Sequence, residues 1–148
     1  MKPFAFRLNA VLRFREQRAN EAVSRFAQAV HAQRQAEEAR QHAEKEHSRW
    51  EDTRRDFAKT GGAAGDFEQM RRSASLLKIE TERRVAAQSA AREAASNMRD
   101  QMLTARRNCE VLERLRTRQR EEHEHSSNRE EQANLDELAT QRHNRRQP

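Results

Sequence analysis

Thr60-Gly61-Gly62-Ala63-Ala64-Gly65-Asp66 holds all three glycines of a 148-residue chain whose two prolines are Pro3 and Pro148. Glycine takes positive φ at low steric cost, so a helix can end here and the chain can reverse. Asp66 offers a side-chain oxygen to the free N–H groups of a following helix, and Gln69 stands three residues on, as in a capping box. The flanks, Phe4 to Thr60 and Phe67 to Gln147, are otherwise free of Gly and Pro. This predicts two long helices folded back on each other: helix 1 over about 9–59, a turn over 60–66, helix 2 over about 67–140 and a tail over 141–148.

Composition supports that reading. Only 34% of residues are hydrophobic and 36% are charged, too little apolar surface for a multilayer core. Such values also occur in disordered chains, but those are rich in Pro, Gly and Ser. This one is rich in Ala, Arg, Glu and Gln, which favour helix. A narrow apolar seam between solvated faces, a coiled coil, satisfies both constraints.

The apolar residues recur at alternating four- and three-residue spacing. On helix 1 the series is Leu8, Leu12, Arg15, Ala19, Ala22, Phe26, Ala29, Gln33, Ala36, Arg40, Ala43, His47, Trp50, Arg54, Phe57. On helix 2 it runs Phe67, Met70, Ala74, Leu77, Thr81, Arg84, Gln88, Ala91, Ala95, Met98, Met102, Ala105, Cys109, Leu112. Ala22, Ala29, Ala36 and Ala43 imply close helix approach with little area buried per layer. At about 25 cal/mol per Å² they contribute less than leucines would. Folding at the glycines pairs residues whose numbers add to about 124 to 126. Trp50 then faces Leu76 or Ala74, Phe26 faces Met98, and Leu12 faces Leu112 and Leu115. Large residues meet large ones, which favours an intramolecular antiparallel hairpin over a parallel dimer. The fold class is all-α: one long two-helix antiparallel coiled-coil domain over 1–148, with an overhanging second helix and a flexible basic C-terminal tail.

Before helix 1, Phe4, Phe6 and Leu8 alternate as in a short extended arm, with Asn9 a candidate N-cap. Two readings of the arm stay open. It staples the helix pair against Leu112 and Leu115, or it contacts a partner or a membrane surface, with Lys2, Arg7, Arg13 and Arg15 alongside.

Net charge is +6, from 30 basic and 24 acidic residues. Acids interrupt nearly every basic run, and pairs such as Glu21–Arg25, Glu51–Arg55 and Glu110–Arg114 stand at i,i+4, so the mixture reads as a solvated helix surface. Nucleic-acid binding would favour a basic block and is not expected. There is no catalytic constellation, no phosphate-binding loop and no implied cofactor. His123 and His125 stand two apart, on different faces of a helix, which argues against a metal site. Arg106 and Arg107 near Cys109 could lower a thiol pKa, but Cys109 fits better as a small apolar seam residue. A single cysteine excludes an intramolecular disulfide and fits a reducing compartment. Arg7, Arg13 and Arg15 break up any secretory h-region, and no stretch approaches the roughly 20 apolar residues of a membrane span. A cytoplasmic protein is expected.

The opening Phe4-Ala-Phe-Arg-Leu-Asn-Ala-Val-Leu-Arg-Phe-Arg-Glu16 resembles the flagellar FliJ family, whose members commonly begin Phe-x-Phe-Arg-Leu, a polar residue, a Val-Leu or Leu-Leu pair and Arg-Glu. The length, the Gly-containing turn near residue 60 and the ending Leu135-Asp-Glu-Leu-Ala-Thr-Gln-Arg142 are similar too. The resemblance implies a non-enzymatic stalk of the flagellar type III export apparatus, cytoplasmic and peripheral at the inner face of the cell membrane. It implies insertion into the hexameric export ATPase ring, promotion of ring assembly, and a link to the cytoplasmic domain of the export gate, with export chaperones as further partners. Ring contact is expected at Phe4, Phe6, Leu8, Val11 and Leu12. Family spacing carries gate contact onto Met70, Ala74, Leu77 and Thr81. The equivalent stalk of a virulence secretion system, or a basic coiled-coil adaptor or nucleic-acid binder, are the alternative readings.

Overall fold

A computed structural model describes residues 3–144. They form two helices, α1 (Asn9–Thr60) and α2 (Ala64–Asn144), packed against each other with no strand among the described residues. The all-α expectation holds.

The turn is tighter than the sequence suggests. α1 ends at Thr60, and Gly61 has φ of +74°, the left-handed conformation of a helix C-terminus. Gly62 has a different reason to lack a side chain: a Cβ there would run into the Phe57 ring. The Ala63 carbonyl accepts from the N–H groups of Asp66 (3.0 Å) and Phe67 (3.3 Å), so Ala63, not Asp66, is the N-cap of α2. Ala64, Gly65 and Asp66 lie in the first turn. Asp66 still sits where a carboxylate favours the helix dipole. Three residues suffice to reverse the chain, and the helix-favouring Ala63-Ala64 pair lets α2 start early. At its other end α2 continues past the expected boundary to Asn144, while tail residues 145–148 lie outside the described residues, as do Met1 and Lys2 of the arm.

α1 begins at Asn9, as expected, but its cap lies one residue before the expected one. The Asn9 N–H donates to the Phe6 carbonyl (3.1 Å) and the Leu12 N–H to the Leu8 carbonyl (2.8 Å), so Leu8 takes the cap position expected of Asn9. The turn at 7–8 lets Phe6 be buried beneath the first helical residues.

The described residues form two compact units, one of residues 21–103 and one joining residues 3–20 to 104–144. In the first, the expected seam positions Ala22, Phe26, Ala29, Gln33, Ala36, Arg40, Ala43, His47, Trp50 and Phe57 of α1 are all half-buried. Met70, Ala74, Leu77, Thr81, Gln88, Ala91 and Met98 of α2 match them, with Ala95 and Met102 buried. Phe57 meets Phe67 edge-on at 5.1 Å, and Gln88 is among the groups acting on Glu37, pairs whose numbers add to 124 and 125. The expected register is the observed one. Leu76, one candidate to face Trp50, is 68% exposed, while Ala74 is half-buried. Arg54 and Arg84 fall on seam positions yet stay exposed, since a guanidinium reaches water from the flank of a narrow seam.

Where alanines thin the seam, polar side chains fill its margin. Arg40 bonds Glu37 (2.8 Å) and Glu44 (2.5 Å), and Gln41 donates to Glu37 (2.9 Å). Arg40 and Gln41 hold the Glu37 carboxyl below its ordinary range. Of the sequence-expected pairs, Glu110–Arg114 forms, whereas Glu51 pairs with Arg54 and Asp52 with Arg55. The i,i+3 partner wins when it is nearer on the same face.

Candidate partner-contact surfaces

The second unit contains a small core and, beside it, a surface. Phe6, Leu12, Ala19 and Cys109 are buried together, with Phe4, Ala105, Leu112 and Leu115 packed against them. Leu12 is only 1% exposed. Phe4 lies against His123 of α2, ring centroids 5.7 Å apart. The arm therefore acts as a staple, with Leu112 and Leu115 packed on the cluster that holds Phe6 and Leu12.

Five residues were expected to form one ring-contact set, and the structure divides them. Phe6 and Leu12 are buried and Phe4 is half-buried, while Leu8 (39%) and Val11 (43%) are exposed. Of the expected series Leu8, Leu12, Arg15 and Ala19, Leu12 and Ala19 lie in the seam, whereas Glu16 takes the place of Arg15 and Leu8 stays outside. Leu8 sits at the helix cap and Arg15 turns to solvent, so both lie on the flank. Leu8, Val11, Arg15 and Arg18 recur at spacings of three and four, one stripe of the helix. Phe14, 51% exposed and three residues after Val11, borders it, with the Arg18 guanidinium carbon 5.2 Å from its ring centroid. The sequence reading counts Phe14 with the arm that could meet a partner but leaves it out of the five-residue ring-contact set; exposure places it beside Leu8 and Val11.

The four positions matched to a gate contact have a different setting. Met70, Ala74, Leu77 and Thr81 are all half-buried. Leu77 and Thr81 line a cleft of about 510 Å³ with Ala39, His42, Ala43 and Glu46 of α1. The Thr81 hydroxyl donates to the Leu77 carbonyl of its own helix (2.8 Å). The large apolar side chains exposed in this stretch are Leu76 (68%) and Ile79 (46%).

Cys109 behaves as an apolar seam residue. Burial first, then the charge of Glu113, pushes its thiol above the ordinary value, and its Sγ lies 3.7 Å from Glu113 Oε1. The thiolate is disfavoured there, because burial and the charges of Glu113 and Glu16 act on the sulfur rather than Arg106 and Arg107. His123 is half-buried under Phe4 while His125 is exposed, the two faces expected of an i,i+2 pair. Among the described residues no three His, Cys, Asp or Glu side chains are grouped to hold a metal, and no helix is long and apolar enough to cross a membrane. From residue 128 to 143 every position of α2 is exposed, Leu135 and Leu138 included.

Comparison with known proteins gives one finding: the family model described as flagellar FliJ protein matches residues 4–148. No curated protein and no solved structure matches the chain.

Proposed function

This chain belongs to the flagellar FliJ protein family, and on that footing we propose that it is a non-enzymatic stalk and coupling component of flagellar type III protein export. In this reading it enters and promotes assembly of the hexameric export ATPase ring and links the ring to the cytoplasmic domain of the membrane export gate, with export chaperones as further partners. It works at the inner face of the cell membrane, held there by its partners rather than by a span of its own. The observation that carries the proposal is the family match across residues 4–148.

Within this reading, burial divides the residues between two tasks. Phe6 and Leu12, with Phe4 over them, hold the end of α1 on α2; Leu8 and Val11 are free to touch the ring. For the gate, Met70, Ala74, Leu77 and Thr81 set the phase of α2 against α1. A partner reaching this stretch meets Leu76 and Ile79 first. The test is to titrate the purified chain into its cognate export ATPase and follow turnover and hexamer formation. Both should rise; an ATPase indifferent to the chain at saturating concentration sinks the proposal.

A further inference from the structure

The outward face at the start of α1 combines two features that a free helix surface would avoid. One is apolar: Leu8, Val11 and Phe14 are exposed together although Phe6 and Leu12 beside them are buried. The other is electrostatic. A helix N-terminus carries partial positive charge and favours acids in its first turn. α1 has none there, and Arg7, Arg13 and Arg15, all exposed, stand around its start instead. Glu16 is the single acid between Pro3 and Asn20, and it is half-buried toward Cys109. Arg7 thus adds to the positive end of the helix dipole, and Arg13 and Arg15 continue the basic character over the next turns.

At Arg7 this placement works against the helix dipole, and no ion pair found among the described residues accounts for Arg7, Arg13 or Arg15 there. We infer that the face formed by Leu8, Val11 and Phe14, bracketed by Arg7 and Arg15, docks on a protein surface that is acidic with an apolar recess. The arginines supply attraction and orientation, and the three apolar side chains supply the buried contact. A lipid bilayer suits the face less well. A helix lying in a membrane needs a broad apolar side, whereas Leu8, Val11 and Phe14 span only two turns and the next apolar side chains, Leu12 and Ala19, are buried against α2. The inference rests on the reading that this end of the chain meets the export ATPase, and it adds the chemistry of the mating surface.

The test uses the full-length chain, its cognate export ATPase and, separately, phosphatidylglycerol vesicles. Binding to the ATPase should weaken on the order of tenfold between about 50 and 300 mM NaCl. The double variant Arg7→Glu, Arg15→Glu should lose on the order of tenfold or more in affinity at the lower salt, and Phe14→Ala should lose affinity with the salt dependence retained. The arginine variant should melt no earlier than the parent, because an acid at position 7 suits the dipole of α1 and Arg15 is exposed, so lost binding cannot be ascribed to unfolding. If the parent binds but the variants bind equally well, the inference is wrong and the ring reading stands. If the parent does not bind the ATPase, the ring reading itself fails and takes the inference with it. Vesicle binding lost in the arginine variant, with ATPase binding unchanged, would assign the face to lipid and overturn the inference.

Discussion

Leu8, Val11 and Leu12 show how much one helical position decides. Leu12 is enclosed by Phe6, Ala19 and Cys109 with Leu112 and Leu115, while Val11, its neighbour, faces water. Leu12→Ala should destabilise the chain by about 2–5 kcal/mol, because the cavity left in so small a core has few neighbours to close it. Val11→Ala should change stability by no more than about 0.5 kcal/mol. Urea denaturation of the two variants tests the contrast; equal effects would mean that Val11 is packed. Cys109 offers a second check. Its thiol is raised by burial, so the folded state keeps the proton longer than the unfolded chain does. Its contribution to stability is complete below the unfolded thiol's pKa and declines as pH rises through the folded one. A thiol reagent at pH 8 should therefore react slowly with the native chain and rapidly in denaturant, while Cys109→Ser should remove the corresponding loss of stability above pH 9. Fast native labelling would contradict the burial.

At the scale of elements, the three glycines act in three ways. Gly61 supplies a positive φ, Gly62 makes room for Phe57, and Gly65 lies in the first turn of α2 with open space around it. Gly65→Ala should stabilise by about 0.4–1 kcal/mol, since alanine loses less conformational entropy in a helix. Gly62→Ala should destabilise by displacing Phe57 from its edge-on contact with Phe67, and Gly61→Ala by about 1–2 kcal/mol of left-handed strain. Thermal melts of the three variants should rank in that order of sign; a destabilised Gly65→Ala would place the start of α2 after residue 65. The same turn explains why the expected capping role of Asp66 moved to Ala63: two alanines ahead of Gly65 extend the helix backward by a turn.

Across the whole molecule, the buried side chains are few and small apart from Phe6, Leu12 and Met102, and helix and ion pairing do the rest. Protection should follow that distribution. Hydrogen exchange should be slowest for amides around Leu12 to Ala19 and Met102 to Leu112, and fastest over residues 128–143, where no side chain is covered. Truncation after Ser127 should consequently remove helical signal while leaving the main melting transition within a few degrees. A large fall in melting temperature would show that the last stretch of α2 is packed after all.

The sequence alone determined the element count, the reversal near residue 61, the pairing register and the alanine-thinned seam. These depend on local propensity and on a repeat long enough to average out single exceptions such as Arg54 and Arg84. The N-terminal motif also pointed to the family that the match over residues 4–148 shows. Tertiary structure decided which side of each helix turn is spent on packing. A spacing of three or four residues cannot tell the seam from its flank when Leu8, Val11, Leu12 and Phe14 are all apolar. Only the fit of α1 against Cys109, Leu112 and Leu115 separates the staple from the exposed, arginine-bracketed face, because burial is a property of the pair and not of either helix.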